Sequence, residues 1–388
     1  MVRRRWLAVG ALAAIATAAT GWLSREPDFG RVPVRSLQDL ERELESLRAR
    51  LRITGMSAAI GEDNRVVWAQ GFGNANNERA IPAGPDTIYD LASLAKPYGA
   101  TVVLQLVQEA RLNLDDPVAR FGIVMERSSP VRIRHLLSHT SGEPPGSAYR
   151  YDGNAFGALT QIVERTTGRD YAKELADRII RPLALTHTAP NPSEPREFWS
   201  LVASVSVTED DIAAARADFV ASGVDREAIN NGLAQGYARA WARWIWPTGL
   251  IGPMRPVTRA VRLSTTSGLV ASAPDVARFS IALDQGLLLA EETKRNAWSR
   301  PLGRDGSPLP YGLGWFVQTT RGREVVWHYG HGLESSSLIV KVPRTGTTFV
   351  ILANSDGLSR WRGLGDSADV ADSPAATLFM NWYLARAQ

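Results

Sequence analysis

No cysteine occurs in the 388 residues, and there are only five histidines: His135, His139, His187, His328 and His331. The first absence excludes disulfides, thiol nucleophiles and Cys-ligated zinc. The histidines fall in no HExxH or comparable spacing, so no metal site and no cofactor are expected. Lysine is nearly as scarce: Lys96, Lys173, Lys294 and Lys341 are the four, and arginine makes up the rest of the 44 basic residues. Charge of either sign is dilute and interleaved, with 40 acidic residues and a net charge of +4. Nothing resembles the basic stripe that follows a phosphate backbone, which argues against a nucleic-acid partner.

What is present is a globular composition, 44% hydrophobic and 22% charged, in a chain long enough for one large domain or a domain with an insertion. The amino terminus reads as a targeting element. Arg3-Arg4-Arg5 precede an uncharged Ala- and Leu-rich run over 6–23, with Ala16-Thr17-Ala18 as a small-residue cleavage site. The run is also about long enough to cross a bilayer. Residues 1–23 are therefore expected to be a signal peptide or an uncleaved membrane anchor. The mature part is then expected outside the cytoplasm, in the periplasm or extracellular space, and associated with the membrane if the segment is retained. A linker over 24–35 leads into the folded region, 36–388.

Ser36 reads as an N-cap, followed by Leu37, Leu40, Leu44, Leu47 and Leu51 at 3-4 spacing: an amphipathic helix. Apolar runs over 57–60 and 66–69 flank Glu62-Asp63-Asn64 and predict a β-hairpin. A long helical pattern follows Ser93, with Pro97 in its opening turn, where proline is tolerated. Residues of roughly 120–300 read as mainly helical, with helices over 154–167 and 171–180, another opening at Pro274-Asp275, and an irregular insertion over 190–262. Strands return over 312–317, 324–329, 336–342 and 347–354, and Ser373-Pro374 opens a closing helix. Strands at both ends, joined by short turns, predict an α+β fold: an antiparallel sheet flanked by the first and last helices, with an inserted mainly helical lobe. A cleft between the lobes would suit a small molecule or peptide.

Only one lysine follows a serine at i+3. In Ser93-Leu94-Ala95-Lys96 the hydroxyl and the amine share a helix face, a spacing that can build an activated nucleophile without a histidine base. The plain alternative is an N-cap serine. Tyr151, in Tyr149-Arg150-Tyr151-Asp152-Gly153-Asn154, could relay a proton if a nearby Lys⁺ lowers its pKa, or could be an ordinary core ring. His328-Tyr329-Gly330-His331 ends a predicted strand with a glycine where backbone must approach closely, or is simply a strand-to-turn junction.

Taken in chain order, these residues resemble the serine β-lactamase and penicillin-recognising hydrolase superfamily. The branch most similar is the class C β-lactamase-like one, with its esterases and D-amino-acid peptidases. Further motifs carry the same resemblance: Arg134-His135-Leu136-Leu137-Ser138-His139-Thr140-Ser141-Gly142, Leu233-Ala234-Gln235-Gly236-Tyr237, Ser267-Gly268-Leu269-Val270-Ala271-Ser272 with Asp275, and Tyr311-Gly312-Leu313-Gly314-Trp315. The resemblance implies that Ser93 forms an acyl-enzyme, Lys96 stabilises its alkoxide, and Tyr151 accepts the serine proton and later helps deliver it to the leaving group. It also implies that His328 stands where the family has the lysine of Lys-Thr-Gly, and that the N–H groups of Ser93 and His331 form the oxyanion hole.

Two departures qualify it. Gly153 occupies the position of the asparagine in the family's Tyr-x-Asn motif, and Asn154 is one residue late. His328 replaces a permanent ammonium, which weakens a substrate-carboxylate site. Both point toward an ester or D-amino-acid peptide rather than a β-lactam. The alternative of a different class is a non-catalytic, penicillin-binding-like sensor of the cell envelope. His139 and Ser141 read as shaping a loop near the cleft and His135 as core. Trp241, Trp244 and Trp246, with Arg239 and Arg243, read as packing within the inserted lobe.

Overall fold

The computed structural model describes residues 32–193, 198–199, 204–205, 208–239, 254–257, 261–359 and 364–386. The leader over 1–23 and the Trp241, Trp244, Trp246 and Arg243 cluster lie outside them. No helix among the described residues is long and apolar enough to cross a membrane.

The framework, in chain order, is α1 (Leu37–Leu51), β1 (Gly55–Glu62), β2 (Arg65–Asn76), β3 (Ile81–Pro82), β4 (Ile88–Asp90), α2 (Lys96–Gln108), α3 (Gly153–Gly157), α4 (Leu159–Thr167), β5 (Thr188–Pro190), β6 (Leu269–Ser272), α5 (Ala273–Asp284), β7 (Phe316–Thr320), β8 (Arg323–His331), β9 (Ser336–Val342), β10 (Thr347–Ala353) and α6 (Pro374–Arg386). Seven strands form one antiparallel sheet in the order β7-β8-β9-β10-β1-β2-β3. The two ends of the chain meet in its middle, where β1 pairs with β10 from Met56↔Ala353 to Gly61↔Thr348. The β1–β2 hairpin turns on Asp63 and Asn64, both with positive φ (49° and 62°). That left-handed pair matches the twist of the strands it joins.

Ser36 caps α1: its Oγ accepts from Asp39 N at 3.0 Å, and Asp39 Oδ2 accepts from Ser36 N at 3.2 Å. The pair satisfies two otherwise orphaned amides. Leu40, Leu44, Leu47 and Leu51 are then buried against one sheet face with Leu378, Phe379 and Trp382 of α6, each worth roughly 2 kcal/mol of apolar burial. The opposite sheet face packs against α5, and a second core joins it to the helical lobe.

That lobe is less helical than the sequence pattern predicts. Its strand β6 pairs with β4 on one side and β5 on the other in a small three-stranded sheet, and short paired strands at Gly236–Arg239 and Met254–Val257 lie within the irregular insertion. Three- and four-residue strands carry too few positions to show a period of two. The strand expected over 312–317 begins only at Phe316. Before it, Gly314 takes φ +87°, and a Cβ there would lie 2.2 Å from Ala100 Cβ, so the chain turns against α2 instead of extending.

Candidate active site

Ser93 is not the N-cap of its helix. It sits in a 3₁₀ turn, Ala92–Ala95, that feeds directly into α2. Ala92 is held at φ +46°, and its N–H donates to Asp90 Oδ1 at 2.7 Å. This places Ser93 on a sharp elbow between β4 and α2. Of residues 91–100 it alone is not buried, so the serine is left partly accessible while its neighbours fix the backbone. Non-glycine residues in the left-handed region are uncommon, and such strain often marks a functional turn.

One turn on, Lys96 Nζ lies 2.9 Å from Ser93 Oγ. The lysine is fully buried, its Nζ 4.9 Å from the ring centroid of Tyr151 and 5.7 Å from that of Phe156. Burial pulls its pKa down from 10.5 to about 7, against the opposing pull of the Asp152 carboxylate. The amine is therefore substantially neutral near neutral pH and able to accept a proton.

Tyr151 also lies in this cluster, but with the opposite electrostatics to those expected. Burial pushes its phenol well above 10, and the nearby Tyr329 adds to this; the Ser93 hydroxyl beside it acts the other way. Lys96 does not lower it. Tyr151 is a buried, protonated phenol whose Oη has no hydrogen-bond partner of good geometry among the described residues.

His328 is wholly buried. Its Nδ1–H donates to the Tyr329 carbonyl at 2.7 Å, so Nε2 is the acceptor for the Tyr311 hydroxyl at 2.8 Å. Burial, then the Lys96 charge, hold its pKa well below 6.5. It does not present a cation to a substrate carboxylate. With both nitrogens engaged, it braces the strand from inside. Tyr311, its partner, was visible in the sequence only as part of a Tyr-Gly-Leu-Gly-Trp run.

Gly330 meets the requirement for close approach. A Cβ there would lie 2.1 Å from Leu91 O and 2.3 Å from Ser337 Oγ, so only glycine lets β8 lie against the elbow that carries Ser93. His331 ends the strand, paired with Ser336, and its side chain is exposed. A Cβ on Gly153 would lie 3.8 Å from Lys96 Nζ: a side chain at this position points at the amine, and here there is none. Asn154 is exposed and does not fill the gap. His135 is half-buried rather than core, its Nδ1 accepting from Arg132 N at 3.1 Å.

Beside the elbow opens a polar cleft of about 250 Å³. Arg79, Asp90, Asn191, Gln235, Glu334 and Ser335 are among its lining residues. Asp90 joins it to the serine: one oxygen takes Ala92 N–H and the other takes Asn191 Nδ2 at 3.0 Å. Among the described residues, no three His, Asp or Glu side chains are grouped to hold a metal.

The sheet with its helical lobe and the serine–lysine pair at their junction define a penicillin-recognising hydrolase fold, and the chain belongs to the beta-lactamase family, whose model matches residues 40–370. Similar solved structures include an octameric penicillin-binding protein homologue from Pyrococcus abyssi (TM-score 0.68, 20% identity, 90% of this chain and 77% of that one). A D-amino acid amidase from Ochrobactrum anthropi SV3 also matches (TM-score 0.65, 17% identity, 89% and 99%), as does a D-stereospecific amidohydrolase from Streptomyces sp. (TM-score 0.61, 22% identity, 86% and 98%). At these identities the likeness is one of fold. Among curated sequences, Protein flp of Staphylococcus aureus (strain N315) is 25% identical over 190 residues, 40% of this chain and 38% of that protein. The chain thus spans less than two-fifths of the length of this curated relative. Family and fold together support a hydrolase.

Proposed function

We propose that the protein is a serine hydrolase that forms an acyl-enzyme on Ser93 and acts on a small ester or amide of D-amino-acid type. The observation that carries this reading is the 2.9 Å contact between Ser93 Oγ and the Nζ of a fully buried Lys96. Neutral Lys96 takes the hydroxyl proton as Ser93 Oγ attacks the carbonyl carbon. Protonated Tyr151 then gives its proton to the leaving amine or alkoxide and regains one from the Lys96 ammonium. Water attacks the acyl carbon by the same route reversed, releasing the acid. Relative to the sequence-based expectation only the base changes: lysine, not tyrosine, takes the serine proton, while tyrosine keeps the delivery of a proton to the leaving group.

The cleft favours a small polar substrate. It offers carboxylates, Asp90 and Glu334, and a cation, Arg79, a set suited to the ammonium and carbonyl of an amino-acid derivative. The relatives named as D-amino acid amidase and D-stereospecific amidohydrolase agree with this class. A β-lactam fits less well, because buried, neutral His328 stands at the strand position where a cation would meet its carboxylate.

The test is a turnover panel on the purified protein: p-nitrophenyl esters, D- and L-amino-acid p-nitroanilides and a chromogenic cephalosporin. Repeated turnover of the esters and D-amino-acid anilides, lost in Ser93→Ala, is the expected result. A single equivalent of product with no further release would favour the binding or sensor reading instead.

A further inference from the structure

His139 is unusual on three counts. Its backbone is left-handed, with φ +53°; it is 1% exposed; and its Nε2 has no hydrogen-bond partner among the described residues. Each feature is unfavourable alone, and their coincidence beside a reactive cluster calls for a reason.

The hydrogen bonds on either side of Tyr151 provide one. The His139 carbonyl accepts from Arg150 N at 2.9 Å, and its ring Nδ1 accepts from Asp152 N at 3.1 Å. One residue therefore holds the backbone amides of both residues that flank Tyr151. Its ring lies 4.4 Å from the Tyr151 ring and 4.7 Å from that of Tyr311. The left-handed backbone lets carbonyl and side chain face the same loop. Because Nδ1 accepts, the imidazole proton must reside on Nε2, and the ring must be neutral. Burial, then Lys96 and His328 whenever either is protonated, keep it so by holding its pKa well below 6.5. Asp152 in turn accepts from Ala155 N at 2.9 Å and so opens α3 beside Lys96.

We propose that His139 is a positioning residue that acts through Tyr151, its carbonyl and ring Nδ1 clamping the Arg150 and Asp152 amides so that the phenol stands over the Ser93–Lys96 pair. This rests on the hydrolase reading above. The clamp needs an acceptor at the ring position and a residue that tolerates positive φ. Asparagine supplies both, through Oδ1, whereas glycine supplies only the second.

The experiment compares His139→Asn and His139→Gly in the acylation burst with a p-nitrophenyl ester, alone and combined with Tyr151→Phe. The glycine variant is expected to slow acylation about ten- to a hundredfold, as misplacement of a reacting group does, with KM little changed. The asparagine variant should recover most of the rate. In the Tyr151→Phe background His139→Gly should add no further slowing, because both act through one group. Equal slowing by Asn and Gly, or multiplying defects in the double variant, overturns the proposal. If the glycine variant does not fold, His139→Asn decides alone: a rate within about fivefold of the parent supports the clamp, and a loss near that expected for misplacement refutes it. Ser93→Ala separates this from the underlying reading. A burst that survives Ser93→Ala defeats the hydrolase assignment, whereas a burst that depends on Ser93 but ignores residue 139 defeats only the clamp.

Discussion

Lys96 Nζ and Ser93 Oγ stand 2.9 Å apart at the start of α2, the serine partly exposed and the lysine sealed from solvent. The elbow that exposes one buries the other, so desolvation lowers the amine's proton affinity where a base is needed.

A pH–rate profile tests this directly. With Lys96 as base and its pKa near 7, kcat/KM for an uncharged ester should rise through about pH 7 and level above it. Lys96→Arg, a permanent cation, should lose about 10²- to 10⁴-fold. A profile flat from mildly acidic to mildly basic pH would remove Lys96 from that role.

Burying the amine also costs stability. Its folded pKa, about 7, lies below the ordinary 10.5. Between those values the unfolded chain binds more protons than the folded one, so stability rises with pH across that window and is lowest below it. Lys96→Met should therefore raise Tm, most at pH 7 and below, with the gain fading toward pH 10. A variant no more stable than the parent at pH 7 would show the buried amine to be well compensated.

Much of the fold was legible because its signals are local. Ser36 with the leucine repeat, Asp63-Asn64 between alternating runs, and Ser373-Pro374 each dictate their own backbone. The Ser93–Lys96 pair was legible for the same reason: three residues apart on a helical path, the two side chains must be neighbours. The raised pKa of Tyr151 and the sealing of His328 were not legible because burial decides them, and burial is a sum over distant segments. Tyr311 lies 17 residues from its partner His328, and no spacing rule announces the pair. The left-handed Ala92 was equally hidden, since alanine carries no signal for positive φ.

His328 yields a sharp contrast. On the sequence alone, His328→Lys would restore a carboxylate site. In the structure the position is sealed and bonded on both sides, so the substitution should leave carboxylate selectivity unchanged and destabilise by about 3 kcal/mol or more. Denaturant unfolding and a charged–uncharged substrate pair read the two effects separately.

Gly153→Asn should fit, since a Cβ there meets nothing closer than 3.6 Å. Its amide oxygen would accept from the Lys96 ammonium and favour the charged form. The acid limb of kcat/KM should move up by roughly one unit, slowing the enzyme at pH 7 but not at pH 9. An unmoved limb would mean that the new side chain does not reach Nζ.

The most direct measurement is mass spectrometry of the protein quenched during reaction with a slowly hydrolysed ester. The acyl adduct should map to the peptide carrying Ser93, be absent in Ser93→Ala, and form about 10²- to 10⁴-fold more slowly in Lys96→Met. An adduct on any other residue, or formation at the parent rate without the lysine, would contradict the mechanism.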